Sequence, residues 1–352
     1  MQKFFAAANS ASGFVSWFDD IFAPRNFTRT YVIKGGSGTG KSTLMKRAAE
    51  RWEKSGGTAE RFYCSSDADS LDGVILTRAD KTVAMLDGTS PHIRDPKYPG
   101  AADEIIHLGA YWRADALTVR REEIIALADK KSALYDAAYK NLAVAGIIAE
   151  HRLAELSPAI LTSKLDAAMT RLLTKRMKAC RVRVGTSPVR RIRALSAIAT
   201  QGEVTFDGAQ DGWEICLAVD AAGGLPYLFR ALIHAADALG LDYDRAPSPL
   251  LPDLTEGVMF PGLKLAVLSM TAAKDARPLN MARFVDREAL AALDRSRLRG
   301  LSRLEREFRD AALAKLAEIR KIHGAMEKIY ISAMDFDRMN RDMEKILAEI
   351  LD

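Results

Sequence analysis

The stretch of sequence that decides the fold reads Gly35-Gly36-Ser37-Gly38-Thr39-Gly40-Lys41-Ser42 and matches the pattern G-x-x-x-x-G-K-[ST]. A strand-like run, Tyr31-Val32-Ile33-Lys34, precedes it, and a run of helix formers over 42–50 follows it. Glycines allow the backbone to adopt positive φ and to turn its N–H groups toward an anion at the start of the helix. In this strand–loop–helix context the pattern predicts a phosphate-binding loop (P-loop).

The parts of this loop have expected partners on a nucleoside triphosphate. We expect Lys41 to reach the β- and γ-phosphates and Ser42 to be a ligand of Mg²⁺. The backbone of the remaining positions should surround the phosphates. The predicted nucleotide-binding residues are Gly35, Gly36, Ser37, Gly38, Thr39, Gly40, Lys41, Ser42 and Thr43.

A second motif, Thr82-Val83-Ala84-Met85-Leu86-Asp87, is a short apolar run that ends on a carboxylate. Ligands of parallel α/β sheets lie at the carboxyl ends of the strands, so we expect Asp87 beside Ser42, where it would hold Mg²⁺ through water. Gly88 follows, where many nucleotide-hydrolysing proteins with such a loop carry a Glu that orients water. That group must come from elsewhere in the chain, or hydrolysis must be slow.

Aspartates follow the next predicted strand, 59–64, and are candidates for the missing group. Asp67, Asp69 and Asp72 should lie at the same edge of the sheet as the phosphates. A loop made soluble by its charges, with Asp69 or Ser70 capping a following helix, is the alternative interpretation.

Further candidates follow Asp87. His92 is either a catalytic group or an ordinary loop histidine. Arg94 and Arg113 are of the type that neutralises charge on a transferred phosphoryl group, although surface or ion-pair positions suit them better. The predicted catalytic residues are Lys41, Asp69, Asp87 and His92, and the predicted metal ligands are Ser42 and Asp87.

Three runs carry a resemblance to a known family: KGGSGTGKSTLMK (34–46), CSSDADSLDG (64–73) and LDGTSPHIRDPKYPG (86–100). They are similar to those of an uncharacterised family of bacterial predicted ATPases with tandem P-loop lobes. The resemblance is strong over about the first 150 residues and weak over the rest. It implies ATP and Mg²⁺ as ligands, and it does not identify the reaction.

The second half of the chain repeats the pattern of the first half without its charged groups. At offsets of 184 and 182 residues, Leu225 and Pro226 fall on the Lys-Ser pair of the loop and Ser269 falls on Asp87. Each lost charge-assisted hydrogen bond costs about 1.5–3 kcal/mol, so this half should retain the frame of a nucleotide site without its affinity. Members of the resembled family often keep a second phosphate loop, and this sequence departs from that pattern. The alternative to a duplication is a chance similarity of two α/β segments.

Helix-rich sequence, with apolar residues three and four positions apart, follows each half. We predict an α/β fold: a P-loop NTPase parallel sheet flanked by helices, duplicated, with an antiparallel helical hairpin appended to each copy. A free coiled-coil arm is the alternative for the hairpins. The expected domains are a nucleotide-binding lobe with its helical extension (1–165), a basic connector (166–194) and a degenerate lobe with carboxy-terminal helices (195–352).

The connector carries eight basic residues and no acidic residue between positions 175 and 193. Such a block binds phosphate backbones in some proteins, but it has no aromatic side chains that would stack on bases. An ion-paired helix is the preferred interpretation. Nucleic-acid binding and a role facing the nucleotide are the alternatives.

Bulk properties predict a cytoplasmic protein. The 352-residue chain is 48% hydrophobic, and it has no apolar run near the roughly 20 residues of a membrane span. The amino-terminal sequence lacks the apolar core of a secretory signal. Three widely spaced cysteines, Cys64, Cys180 and Cys216, predict reduced thiols.

The sequence thus predicts a Mg²⁺-dependent ATP-binding protein with one active site and slow ATP hydrolysis coupled to conformational change. ATP is favoured over GTP because no guanine-recognising run is evident. One alternative is a phosphotransferase that acts on a small-molecule acceptor. Another is a nucleotide-gated protein that binds a partner protein or nucleic acid.

Overall fold

The computed structural model describes residues 2–182, 188–208, 212–220, 222–270 and 275–351. Within these ranges the chain forms two six-stranded sheets flanked by helices, and two separate two-stranded hairpins. The predicted α/β class is confirmed.

The first sheet lies in the amino-terminal part of the chain. The elements there are β1 (Gln2–Phe5), β2 (Ala7–Ser10), β3 (Gly13–Ser16), α1 (Phe18–Ile21), β4 (Arg29–Lys34), α2 (Lys41–Lys54), β5 (Thr58–Tyr63), β6 (Leu71–Arg78), β7 (Lys81–Asp87), β8 (Asp103–His107), α3 (Ala114–Thr118) and α4 (Arg121–Leu156). The strand order is β1-β5-β6-β7-β4-β8, and β2 pairs with β3. We call the part of the chain over 2–118 the first lobe.

The second sheet follows α4. The elements are α5 (Thr162–Cys180), β9 (Arg190–Ile192), β10 (Ser196–Ala199), β11 (Gly202–Thr205), β12 (Glu214–Val219), α6 (Leu225–Ala238), β13 (Tyr243–Pro247), β14 (Thr255–Phe260), β15 (Leu265–Leu268), β16 (Arg277–Asn280), α7 (Arg287–Ala292), α8 (Arg295–Ser332) and α9 (Phe336–Leu351). The strand order is β9-β13-β14-β15-β12-β16, and β10 pairs with β11. We call the described residues of 188–292 the second lobe.

The two sheets have the same topology, strand for strand. Each contains three parallel pairs and two antiparallel pairs in the same places. The register agrees as well, since Gly73 lies opposite Leu86 in the first sheet and Gly257 lies opposite Leu268 in the second. The duplication predicted from the sequence is therefore present as two similar sheets.

The predicted parallel sheet is confirmed only in part: three of the five strand pairs are parallel, and β6 runs antiparallel to both of its neighbours. Only Ala79 and Asp80 separate β6 from β7, and a connection of two residues can join only antiparallel strands. Ala79 takes the positive φ of 51° that this turn requires. The sequence analysis did not identify β6.

The long helices pair with each other rather than forming a hairpin within each copy. α4 has 36 residues and is about 54 Å long. Ion pairs join its carboxyl end to the amino-terminal part of α8, Arg152 with Glu305 and Glu155 with Arg297, so the two helices are antiparallel. Their apolar contact is made by Ala138, Leu142, Ala145, Ala149, Ala312, Leu316 and Ile319.

Each of the shorter helices α5 and α9 packs on the other lobe from the one that precedes it in the chain. After α4, helix α5 packs on α6 of the second lobe; after α8, helix α9 packs on α2 of the first lobe. Met339, Met343 and Leu347 of α9 belong to the same apolar cluster as Leu44 and Met45 of α2. The carboxy-terminal end of the chain is therefore part of the core beside the glycine-rich loop.

The basic segment 166–194 contains most of α5 and all of β9. Four of its arginines form ion pairs: Arg176 with Glu214, Arg190 with Asp237, Arg191 with Asp244 and Arg193 with Glu60. Positions 183–187 lie outside the described residues. Over 2–351, with the gaps stated above, no helix has both the length and the apolar character to cross a membrane.

Candidate functional site

The glycine-rich loop connects β4 to α2, in the context that the sequence predicted. Lys34 ends the strand and Lys41 begins the helix. Gly38 and Gly40 have φ values of 71° and 85°, a backbone conformation that favours glycine. The loop therefore brings the amino terminus of α2, with its unpaired N–H groups, to the carboxyl edge of the sheet.

The Lys41 side chain folds back into this loop. Its Nζ donates to the carbonyl oxygens of Gly35 at 2.5 Å and Gly36 at 2.8 Å. The same Nζ lies 3.5 Å from Asp87 Oδ2, and both side chains are largely buried, each with 13% of its surface exposed. The structure thus brings together the lysine and the carboxylate that the sequence assigned to one site.

Hydrogen bonds from neighbouring residues hold the side chains of Ser42 and Asp87 in place. Ser42 Oγ accepts a hydrogen bond from Leu71 N at 2.9 Å. Asp87 Oδ1 accepts from Thr89 N at 2.8 Å and from Thr89 Oγ1 at 2.5 Å. One carboxylate oxygen of Asp87 is thus fixed, and the other faces Lys41.

The antiparallel strand β6 adds a second carboxylate at this edge. Because Gly73 lies opposite Leu86, the preceding Asp72 lies near Asp87. Burial raises the pKa of Asp87, the Asp72 charge raises it further, and Lys41 and Thr89 oppose the shift. Two acids and a hydroxyl are of the donor type that Mg²⁺ prefers.

His92 contacts Asp72 rather than the glycine-rich loop. Its Nε2 lies 3.1 Å from Asp72 Oδ2, and both side chains are buried. The imidazole stacks on Phe18, with ring centroids 4.1 Å apart, and meets Phe14 edge-on at 5.1 Å. In the described part of the chain, Nδ1 has no hydrogen-bond partner. This enclosure suits a residue that positions Asp72.

Asp67 and Asp69 face the second lobe and α8. Asp67 Oδ1 accepts from Gln201 Nε2 at 3.3 Å and from Asp69 N at 3.3 Å. Asp69 is exposed and lies 3.5 Å from Arg320 of α8. The helix-capping alternative for these aspartates is wrong, since strand β6 begins at Leu71.

The last turns of α8 lie directly on the loop. A Cβ added to Gly38 would be 2.7 Å from Ile331 Cγ1 and 3.2 Å from the backbone oxygen of Glu327. Beside this contact, Arg113 donates to the carbonyl oxygen of Ser332 at 2.5 Å. The contact of the carboxy-terminal helices with this site is not evident from the sequence, because apolar periodicity identifies a buried helix face and not the partner that covers it.

The long helices also supply charged groups near the loop. Burial, with a smaller contribution from Lys131, lowers the pKa of His323; Lys41 acts in the same direction, and Glu327 and Asp67 oppose it. Burial lowers the pKa of the Lys131 ammonium on α4. His323 of α8 therefore lies in the electrostatic field of Lys41, and Lys131 of α4 lies near His323. The sequence analysis missed both helices as parts of the site.

The two arginines considered as neutralising groups are otherwise engaged. Arg94 donates to Phe18 O at 3.2 Å and to Asp19 Oδ1 at 3.3 Å. Arg113 contacts α8 as described above. These contacts agree with the interpretation of Arg94 and Arg113 as surface or ion-pair residues rather than as groups that neutralise a transferred phosphoryl group.

In the corresponding loop of the second lobe, apolar side chains of α4 lie close to Gly223. A Cβ added to Gly223 would be 2.8 Å from Leu156 Cδ1 of α4, and Gly224 N donates to Asp220 Oδ1 at 2.9 Å. Helix α6 begins at Leu225, followed by Pro226. The end of α4 thus contacts the second loop as the end of α8 contacts the first.

Comparison with models of protein families, with curated proteins and with solved structures found no match to this chain.

Proposed function

We propose that the chain is a Mg²⁺-dependent ATP-binding protein with one nucleotide site, at the glycine-rich loop of the first lobe. The observation that carries the proposal is the position of the Lys41 ammonium, inside the loop and 3.5 Å from Asp87. The second lobe has Leu225, Pro226 and Ser269 at the positions that correspond to Lys41, Ser42 and Asp87.

The residues present fit a magnesium–nucleotide complex. Lys41 would exchange two carbonyl partners for phosphate oxygens, which are stronger acceptors because they are charged. Ser42 and Asp87 would hold the metal, which would supply positive charge against the negative charge of the phosphate groups. The amino-terminal N–H groups of α2 would face the same anion.

We propose slow hydrolysis because the first lobe places no acid directly after Asp87. Asp72 is the carboxylate whose charge acts on Asp87, and His92 Nε2 contacts it at 3.1 Å. In this proposal Asp72 orients water, and His92 acts as a positioning residue.

Nucleotide binding at this loop should be coupled to the carboxy-terminal helices. Ile331 and the backbone of Glu327 contact Gly38, and Met339 of α9 lies 3.5 Å from the position of a Cβ on Gly40. A triphosphate that rearranges the loop must change these contacts. This coupling favours nucleotide-gated interaction as the second candidate function, which limited proteolysis of α8 and α9 with and without Mg²⁺–ATP would test. Identical digestion patterns would contradict it.

The test of the site is the affinity for ATP in the presence of Mg²⁺. Lys41→Ala should weaken binding by about ten- to a hundredfold, the equivalent of one charge-assisted contact of about 1.5–3 kcal/mol. Lys54→Ala is the matched control, because Lys54 lies exposed at the other end of the same helix. Equal affinities of the wild type and Lys41→Ala would overturn the assignment.

A further inference from the structure

A cleft of about 450 Å³ opens between the lobes, beside the turn that carries Asp69. Its walls come from β1, α2 and β5 of the first lobe, from the segment around β11 of the second lobe, and from α8. This volume falls in the range of small-molecule sites. Tyr63, at the cleft, is the last residue of β5, whose carboxyl end lies at the edge of the sheet where α/β proteins bind ligands.

One side of the cleft is cationic. Lys3, Lys46 and Arg320 line it, and Asp69 is the carboxylate among the lining residues. Lys46 Nζ donates to the backbone oxygen of Asp69 at 2.7 Å, which leaves two of its three donors for another acceptor. Arg320 lies 3.5 Å from the exposed Asp69 carboxylate, and such an exposed pair is weak. The surplus of positive charge favours an anion.

The other side of the cleft is aromatic and held in place. Phe206 stacks on Phe5, with centroids 4.6 Å apart, and lies 5.0 Å from the ring of Tyr63. Lys3 Nζ is 5.8 Å from both the Tyr63 and Phe206 rings. A flat ring entering the cleft would thus meet an aromatic wall next to a cation.

We propose that this cleft binds a small ring-bearing anion, with its phosphate or carboxylate group toward Lys46 and Arg320 and its ring toward Phe206. The site does not depend on nucleotide binding at the glycine-rich loop.

The experiment uses phenyl phosphate as the probe and the full-length protein, with binding measured by calorimetry. Lys46→Gln and Arg320→Gln should each raise the Kd about tenfold or more, since each removes one charge-assisted contact. Lys54→Gln removes the same charge from the exposed end of α2 and should leave the Kd unchanged. Methyl phosphate, which lacks the ring, should bind more weakly than phenyl phosphate.

Lys41→Ala separates this site from the nucleotide site. The variant should keep its affinity for phenyl phosphate whether or not it has lost ATP. If Lys41→Ala no longer bound phenyl phosphate while Lys46→Gln bound it fully, the probe would lie in the glycine-rich loop and the proposal would be overturned. Equal weakening by Lys54→Gln, or no binding of millimolar probe to the wild type, would overturn it as well.

Discussion

Gly38→Ala measures the contact between α8 and the glycine-rich loop. Gly38 has a φ of 71°, and a side chain in this conformation costs about 1–2 kcal/mol. The new Cβ would also lie 2.7 Å from Ile331 Cγ1 and 3.2 Å from the backbone oxygen of Glu327. The backbone atom cannot move without the helix, so overpacking adds about 1–3 kcal/mol. We expect the free energy of unfolding to fall by about 2–5 kcal/mol in total.

The control is Gly56→Ala, because Gly56 has a similar φ of 87° with no atom within 4 Å of the added Cβ. It should cost only the backbone term of about 1–2 kcal/mol. The double variant Gly38→Ala/Ile331→Ala should regain part of the difference, since it removes the nearer of the two clashes. Urea unfolding followed by circular dichroism measures all of these. Equal losses for Gly38→Ala and Gly56→Ala would refute the placement of α8 on the loop.

Three further predictions concern the core, the second lobe and pH. Burial raises the pKa of Glu256, which accepts a hydrogen bond from Ser196, to about 7. The pKa of Glu256 is higher in the folded state than in the unfolded state. The group therefore contributes about 3 kcal/mol to the free energy of unfolding below pH 4.5, and this contribution is lost as the pH rises through 7. Melting temperatures from pH 4 to 8 should therefore fall less steeply in Glu256→Gln than in the wild type, and parallel curves would contradict this. Leu316→Ala, at the fully buried contact of α4 with α8, should cost about 2–5 kcal/mol in urea unfolding, against well under half of that for the exposed Leu304→Ala; similar costs would mean that the two helices do not pair as described. Leu225→Lys should not create ATP binding in a chain whose first site has been disabled, because Leu156 at the end of α4 lies against Gly223 of the second loop; a gain measured by fluorescent-nucleotide titration would show that loop to be accessible.

Local sequence patterns predicted the parts of the site that lie close together in the chain. The glycine spacing before Lys41 defines the turn and the helix start, and both are formed within a few residues. The repeat alignment placed Leu225 and Ser269 correctly against their first-lobe counterparts, because duplicated strands keep their spacing. The apolar run before Asp87 predicted in the same way that this residue ends a strand, as it does in β7.

The remainder depends on contacts between distant segments. The sequence analysis named Asp69 as a catalytic residue, yet Asp72 is the aspartate that lies near Asp87. The direction of β6 decides which of these side chains reaches the edge of the sheet. The amphipathic pattern of α8 is evident in the sequence, but an apolar stripe does not specify its partner. The contact of Ile331 with Gly38 could therefore be seen only in the structure.

Hydrogen–deuterium exchange with and without Mg²⁺–ATP tests the central claim most directly, because it shows where the nucleotide binds. We predict slower exchange for the backbone amides of 35–43 and changed exchange at the end of α8, with 222–227 unaffected. Protection of 222–227, or no change at 35–43 at saturating nucleotide, would contradict the assignment of a single site in the first lobe.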